Sequence, residues 1–214
     1  MLLAQSDFAG ARKALEQSLA LRKEGEDKVL LGETQLELAD LSLEEGRVPS
    51  EVETDARQAV EDFKKEKAWD DEALAWALVA RALFAEQKFE EAKPAATEAL
   101  RLSEKSPSVE IRLDAIVAAR VQALDRSVSS NSPARRGASK QLASFVSEAR
   151  RRGYFGIELE ARLLMCEVEA RNDPSLAHLH ANALKREARS RGFELIARKA
   201  QAIESAVQPA QNRL

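Results

Sequence analysis

Residues 70–100 run Asp70-Asp71-Glu72-Ala73-Leu74-Ala75-Trp76-Ala77-Leu78-Val79-Ala80-Arg81-Ala82-Leu83-Phe84-Ala85-Glu86-Gln87-Lys88-Phe89-Glu90-Glu91-Ala92-Lys93-Pro94-Ala95-Ala96-Thr97-Glu98-Ala99-Leu100. Two helical segments are joined at the polar pair Gln87-Lys88. In the second, Ala92, Ala96, Ala99 and Leu100 fall at i, i+4, i+7 and i+8, one face of a helix. Asp70 and Asp71 stand where a helix N-terminus favours negative charge. The segments fold back on one another through alanines, because small side chains let two helix backbones approach closely.

The chain on either side repeats this hairpin more loosely. Toward the start, Ser6-Asp7-Phe8-Ala9-Gly10-Ala11 parallels Gln87-Lys88-Phe89-Glu90-Glu91-Ala92, and Leu15, Ser18 and Leu19 continue the face. The sequence thus opens in the middle of a hairpin, with an unpaired face around Leu15 and Leu19. The expectation is that residues 1–5 end a missing helix, that a longer parent protein precedes them, and that this end can self-associate. A helix from about Lys28 to Glu45 precedes Gly46, and Ser50 with Glu53 reads as a capping box for the next. Ala56, Ala59, Val60 and Phe63 form that helix's buried stripe.

Toward the end, Val109 to Arg126 reads as another helix with a small-residue face. An irregular loop follows at residues 127–137, rich in Ser, Pro and Gly. Glu148-Ala149-Arg150-Arg151-Arg152-Gly153-Tyr154 then overlays Glu187-Ala188-Arg189-Ser190-Arg191-Gly192-Phe193 at an offset of 39 residues. Each glycine ends a helix and each aromatic opens the next. Residues 208–214 read as a disordered tail.

Composition agrees with a helical protein. Of 214 residues 44% are hydrophobic, 32% charged and 5% aromatic, with 8 glycines, so β-structure is not expected. The net charge of −3 divides into −9 for residues 1–106 and +6 for residues 107–214. Cys166 is alone, which excludes a disulfide framework and fits a reducing, cytoplasmic location. No segment approaches the roughly 20 apolar residues of a membrane span.

Catalytic signatures are missing. There is no Gly-rich phosphate loop, no His-Glu-x-x-His helix and no Gly-x-Ser-x-Gly elbow. His178 and His180, two apart on a helix, point about 200° apart and cannot share a metal. No aromatic interleaves Arg135-Arg136 or Arg150-Arg151-Arg152 to stack on bases, so these runs read as solvated faces. The expectation is a non-enzyme with no cofactor, no metal, no nucleic acid and no membrane.

With the hairpins laid out, the pattern resembles the tetratricopeptide repeat (TPR) family, carried by Trp76, Ala80, Leu83, Ala92 and Ala99. Aligning first helices on their small residue gives Ala39, Ala80, Ala119 and Cys166, with steps of 41, 39 and 47 residues. These exceed the standard repeat of about 34 residues. The resemblance implies an all-α, right-handed superhelix of antiparallel helical hairpins, a TPR-like α-α solenoid of about ten helices forming a single domain over residues 1–207. The chain's ending also looks like the C-terminal repeat regions of larger bacterial signalling proteins.

The resemblance further implies a protein–protein interaction scaffold that binds a peptide or protein segment in its concave groove. The alternative is a regulatory or sensory C-terminal segment of a larger bacterial kinase or transcription regulator, acting in cis. Family positions carried onto this chain give Leu36, Asp40, Ala77, Arg81, Ile116 and Arg120 as groove residues, flanked by Leu74 and Phe84. Arg81 and Arg120 would hold acidic or C-terminal carboxylate groups of a partner. The competing expectation is that Arg81 pairs with Asp40. On the first view, reversing both arginines to Glu abolishes capture and leaves melting intact.

Overall fold

The short polar breaks and the glycines divide the chain where the sequence places them. The structure, a computed structural model, describes residues 4–104, 106–108, 111–112 and 133–207, with the backbone alone for 133–139 and 141. The described residues contain nine helices and no strand. They fall into two compact units, one built on Asp7–Val121 and the other on Gln122–Leu214.

The first unit begins with α1 (Phe8–Lys23), capped by Asp7, whose Oδ1 accepts from the Gly10 N–H at 2.8 Å. Asp27 caps α2 (Lys28–Glu44) in the same way, accepting from Leu30 at 3.0 Å. Gly46 terminates α2 at φ 76°, a region open to glycine at no steric cost. There Arg47 N–H donates to Ser42 and Gly46 N–H to Leu43, the paired bonds of a Schellman stop.

The expected capping box at Ser50 is not formed. α3 runs from Pro49 to Glu66, its cap residue Val48 makes no side-chain bond, and Ser50 lies inside the first turn. Proline explains the earlier start, since its fixed φ suits the first helical position and its missing N–H loses nothing there. α4 (Trp69–Ala85) carries Asp70, Asp71 and Glu72 in its first turn, and α5 (Phe89–Ser103) follows the Gln87-Lys88 break.

α4 is the interior element of this unit. It packs against both α3 and α5 and lies beside α2. Ala73, Ala75, Ala77, Leu78, Val79, Ala80, Ala82 and Leu83 are all buried, so apolar residues surround it on nearly every side. Ala92, Ala95, Ala96 and Ala99 of α5 meet it in one core cluster. Gly32 in mid-α2 faces Phe63 of α3, and a Cβ at residue 32 would stand 2.9 Å from the Phe63 ring. The close approach, which buries Phe63 to 1% exposure, stabilises by about 1.5–3 kcal/mol. It offsets the cost of about 0.5–1 kcal/mol for glycine inside a helix.

The second unit contains α6 (Pro133–Arg152), α7 (Phe155–Asn172), α8 (Pro174–Ser190) and α9 (Glu194–Ala206). The sequence overlay at 39 residues has a backbone counterpart. Gly153 and Gly192 take φ 75° and 80°, Tyr154 N–H donates to Ala149, and Phe193 N–H donates to Ala188. Asp173 caps α8 by accepting from Leu176 N–H at 3.0 Å, with Pro174 at the first helical position. Leu159, Leu163, Cys166, Ala181, Leu184 and Ile196 share one core, with the Phe193 ring packed against it.

The loop expected at residues 127–137 is shorter than that at its C-terminal side. Pro133 opens α6, so residues 133–137 are helical, again because proline favours a helix start. Residues 127–132, most of the helix expected from Val109 to Arg126, and the tail at 208–214 lie outside the described residues.

Candidate functional site

α2 and α4 are the first helices of successive hairpins, and their shared small-residue register sets them side by side. A cleft of about 380 Å³ opens between them. Its floor is apolar, with Leu36, Ala77 and Leu78 at 8%, 2% and 3% exposure and Leu74 half-buried. Ser108 and Ile111 close one side. Five of the eight residues nominated from the sequence are therefore together here, namely Leu36, Asp40, Leu74, Ala77 and Arg81.

Of the other three, Phe84 alone lies among the described residues, and it does not line the cleft. Phe84 packs instead edge-to-face on Phe89, with ring centroids 5.4 Å apart at 70°, and so clamps the α4–α5 turn. Ile116 and Arg120 lie outside the described residues.

Arg81 is already engaged by its own protein. Its Nη1 lies 2.6 Å from Asp40 Oδ1, and its Nη2 donates to Glu44 Oε1 at 2.9 Å. Both carboxylates come from α2, and the guanidinium is mostly buried at 19% exposure. A planar guanidinium held on two edges has little left to offer a partner's carboxylate. Pairing with Asp40, the competing expectation, is what the structure contains.

The cleft's rim carries Glu33, Glu37 and Asp40 from α2 and Asp71 from α4, with Arg81 as the one cation among the described lining residues. Burial, then the nearby charges of Glu33 and Asp70, push the Asp71 carboxyl above its ordinary value. Sequence reasoning nominated Asp40 and missed the others. The signal was present, since residues 33, 37, 40 and 44 are spaced i, i+4, i+7 and i+11, one stripe of a helix.

A larger cleft of about 690 Å³ lies on α2 and α3 beside Arg12. Its rim mixes Arg12, Lys28, Arg47 and Lys65 with Glu51, Asp55, Asp62 and Glu66, so it presents no dominant sign of charge. Arg12 is moreover tied to Glu45 at 2.7 Å.

Several charged residues of the second unit are held in internal ties. Arg150 donates to Glu158 Oε1 at 2.7 and 3.0 Å, Arg162 reaches Glu187 at 2.7 Å, and Arg152 pairs with Glu148 at 3.0 Å. Glu158 is 4% exposed, so the Arg150 bonds satisfy a buried carboxylate. His178 meets the Glu204 carbonyl and His180 the Glu169 carboxylate, on separate sides of α8. Among the described residues no three His, Cys, Asp or Glu side chains converge as a metal site. No helix among them is long and apolar enough to cross a membrane.

No protein-family model matches the chain, and no curated protein does. Similar solved structures are helical repeats. A point variant of the kinesin light chain nearly identical TPR-like repeats of Podosopora anserina is 20% identical, over 96% of this chain and 93% of that one, with a TM-score of 0.50. The same repeats without that substitution are 19% identical over 97% and 94%, with a TM-score of 0.49. The likeness to the variant speaks for the fold alone, a TPR-like stack of helical hairpins.

Proposed function

We propose that this TPR-like chain is a non-enzymatic protein-interaction module that takes a segment of another protein into the cleft between α2 and α4. The observation that supports it is the cleft itself: an apolar floor at Leu36, Leu74 and Ala77, rimmed by charge, between the first helices of two hairpins. Floors of this kind bury a partner's apolar side chains, while the rim fixes orientation and register. A reducing, cytoplasmic setting suits a chain whose lone Cys166 is buried.

The partner with acidic or C-terminal carboxylate groups expected from the sequence fits this cleft poorly. Arg81 is held by Asp40 and Glu44, and a partner carboxylate would meet Glu33, Glu37 and Asp71.

The test substitutes the half-buried floor. Proteins retained by the immobilised wild-type chain are identified, and their affinity is measured against Leu74→Asn with melting as the folding control. Loss of about tenfold or more in affinity at an unchanged melting temperature supports the reading, a step of about 1.4 kcal/mol. Equal affinity of both proteins for every retained partner removes it.

A further inference from the structure

We propose that the α2–α4 cleft selects a cationic protein segment, one that lays the stem of a Lys or Arg side chain along the Leu36–Leu74 floor and places its charged head between Glu33 and Asp71. The inference rests on the reading of the cleft as the binding groove and names the chemistry of its occupant.

Three features of the cleft converge on that chemistry. The first is sign: among the described lining residues the rim is acidic, and their one cation, Arg81, is cancelled locally by Asp40 at 2.6 Å and by Glu44 at 2.9 Å. The second is an unmatched charge. Glu33 has Arg22 at 3.4 Å, whereas Asp71 has no cationic partner among the described residues and lies within the field of Glu33 and Asp70. A cation entering here relieves repulsion within the protein, and a carboxylate adds to it.

The third feature is shape. The space of about 380 Å³ has an apolar bottom and an acidic edge, so it matches a side chain that is apolar along its length and charged at its end. Lys and Arg are built that way and bury their methylene stems while keeping the head among polar groups. A metal ion or a compact inorganic cation would leave the floor uncovered. Glu or Gln of similar length would cover the floor and bring no charge, or the wrong one, to the rim.

The experiment uses the whole chain and three fluorescent peptides that share the same leucine and alanine positions, their remaining residues being all Lys, all Gln or all Glu. Binding is followed by anisotropy. The Lys peptide is expected to bind at least about tenfold more tightly than the Glu peptide at low ionic strength. That preference should shrink as salt rises from about 0.02 to about 0.2 M, where charges farther apart than roughly 7 Å are screened. In the isosteric double variant Glu33→Gln with Asp71→Asn, the Lys peptide should lose affinity while the Gln peptide does not.

Stronger binding of the Glu peptide, an unchanged Lys-peptide affinity in the double variant, or no binding by any of the three overturns the inference. Leu74→Asn separates it from the groove reading. Loss of all peptides in Leu74→Asn without any charge preference in the wild type leaves the groove standing and removes the cation. Retention of the Lys peptide in Leu74→Asn removes the groove itself.

Discussion

The Arg81 guanidinium of α4 lies 2.6 Å from the Asp40 carboxylate of α2, with Glu44 one turn further along accepting from its other terminal nitrogen. One side chain thus ties two successive hairpins at a half-buried position. Arg81→Gln leaves two carboxylates facing one another without their cation, and should cost about 1–3 kcal/mol. Arg81→Glu adds a third carboxylate and should cost more, whereas the sequence-based expectation is that reversing Arg81 and Arg120 together leaves melting intact. Chemical denaturation of the two variants checks both the loss and its order. A wild-type melting temperature in Arg81→Glu would show that the tie contributes nothing.

Gly32→Ala sets two effects against each other. Alanine gains about 1 kcal/mol in helix propensity over glycine. The added Cβ would stand 2.9 Å from the buried Phe63 ring, and overpacking of that kind costs about 1–3 kcal/mol. The ring is 1% exposed and cannot swing away, so the net effect should be destabilising. Urea unfolding of Gly32→Ala, and of Gly32→Ala combined with Phe63→Leu, checks this, since the smaller side chain should recover part of the loss.

Glu45 predicts a pH dependence. The hydrogen bond from Arg12 holds the Glu45 carboxyl below its ordinary value of 4.5, with a further contribution from Arg47. A carboxylate with a lowered folded value adds stability that is fully present above about pH 5, diminishes as the pH falls below 4.5 and is gone below the folded value. Glu45→Gln should therefore be less stable than wild type by about 1 kcal/mol at pH 7, and the two curves should meet in acid. Paired melting curves across that range show whether they do.

Cys166 should be inert in the folded chain. It is 2% exposed, and burial pushes its thiol up to about 12, where almost none is ionised at neutral pH. A disulfide reagent should label native protein slowly and the unfolded chain at once in guanidinium chloride. Rapid native labelling would mean that the α7–α8–α9 core opens readily.

Much of the fold can be read from the residues, for local reasons. The alanines around Ala80 mark α4 as a helix buried on nearly all sides, and Gly153 and Gly192 mark helix ends at a 39-residue offset. A left-handed glycine or an alanine face acts through its own backbone and its neighbours at i+3 and i+4. Starts were less legible, because Pro49 and Pro133 compete with nearby capping residues and open α3 and α6 where a Ser-based or loop reading does not.

The sequence by itself determined most of the helices and their glycine-marked ends, since each follows from spacing along one strand of chain, while the resemblance it carries supplied the register that aligns α2 with α4. Tertiary structure alone decided which charges meet. From the sequence Arg81 had two candidate uses, a partner's carboxylate or Asp40. The fold brings Asp40 and Glu44 within reach of one guanidinium and gathers Glu33 and Asp71 at the same cleft. Charge acts through space over several ångströms, so the sign of a cleft depends on how two helices, residues apart by some forty positions, are laid against each other.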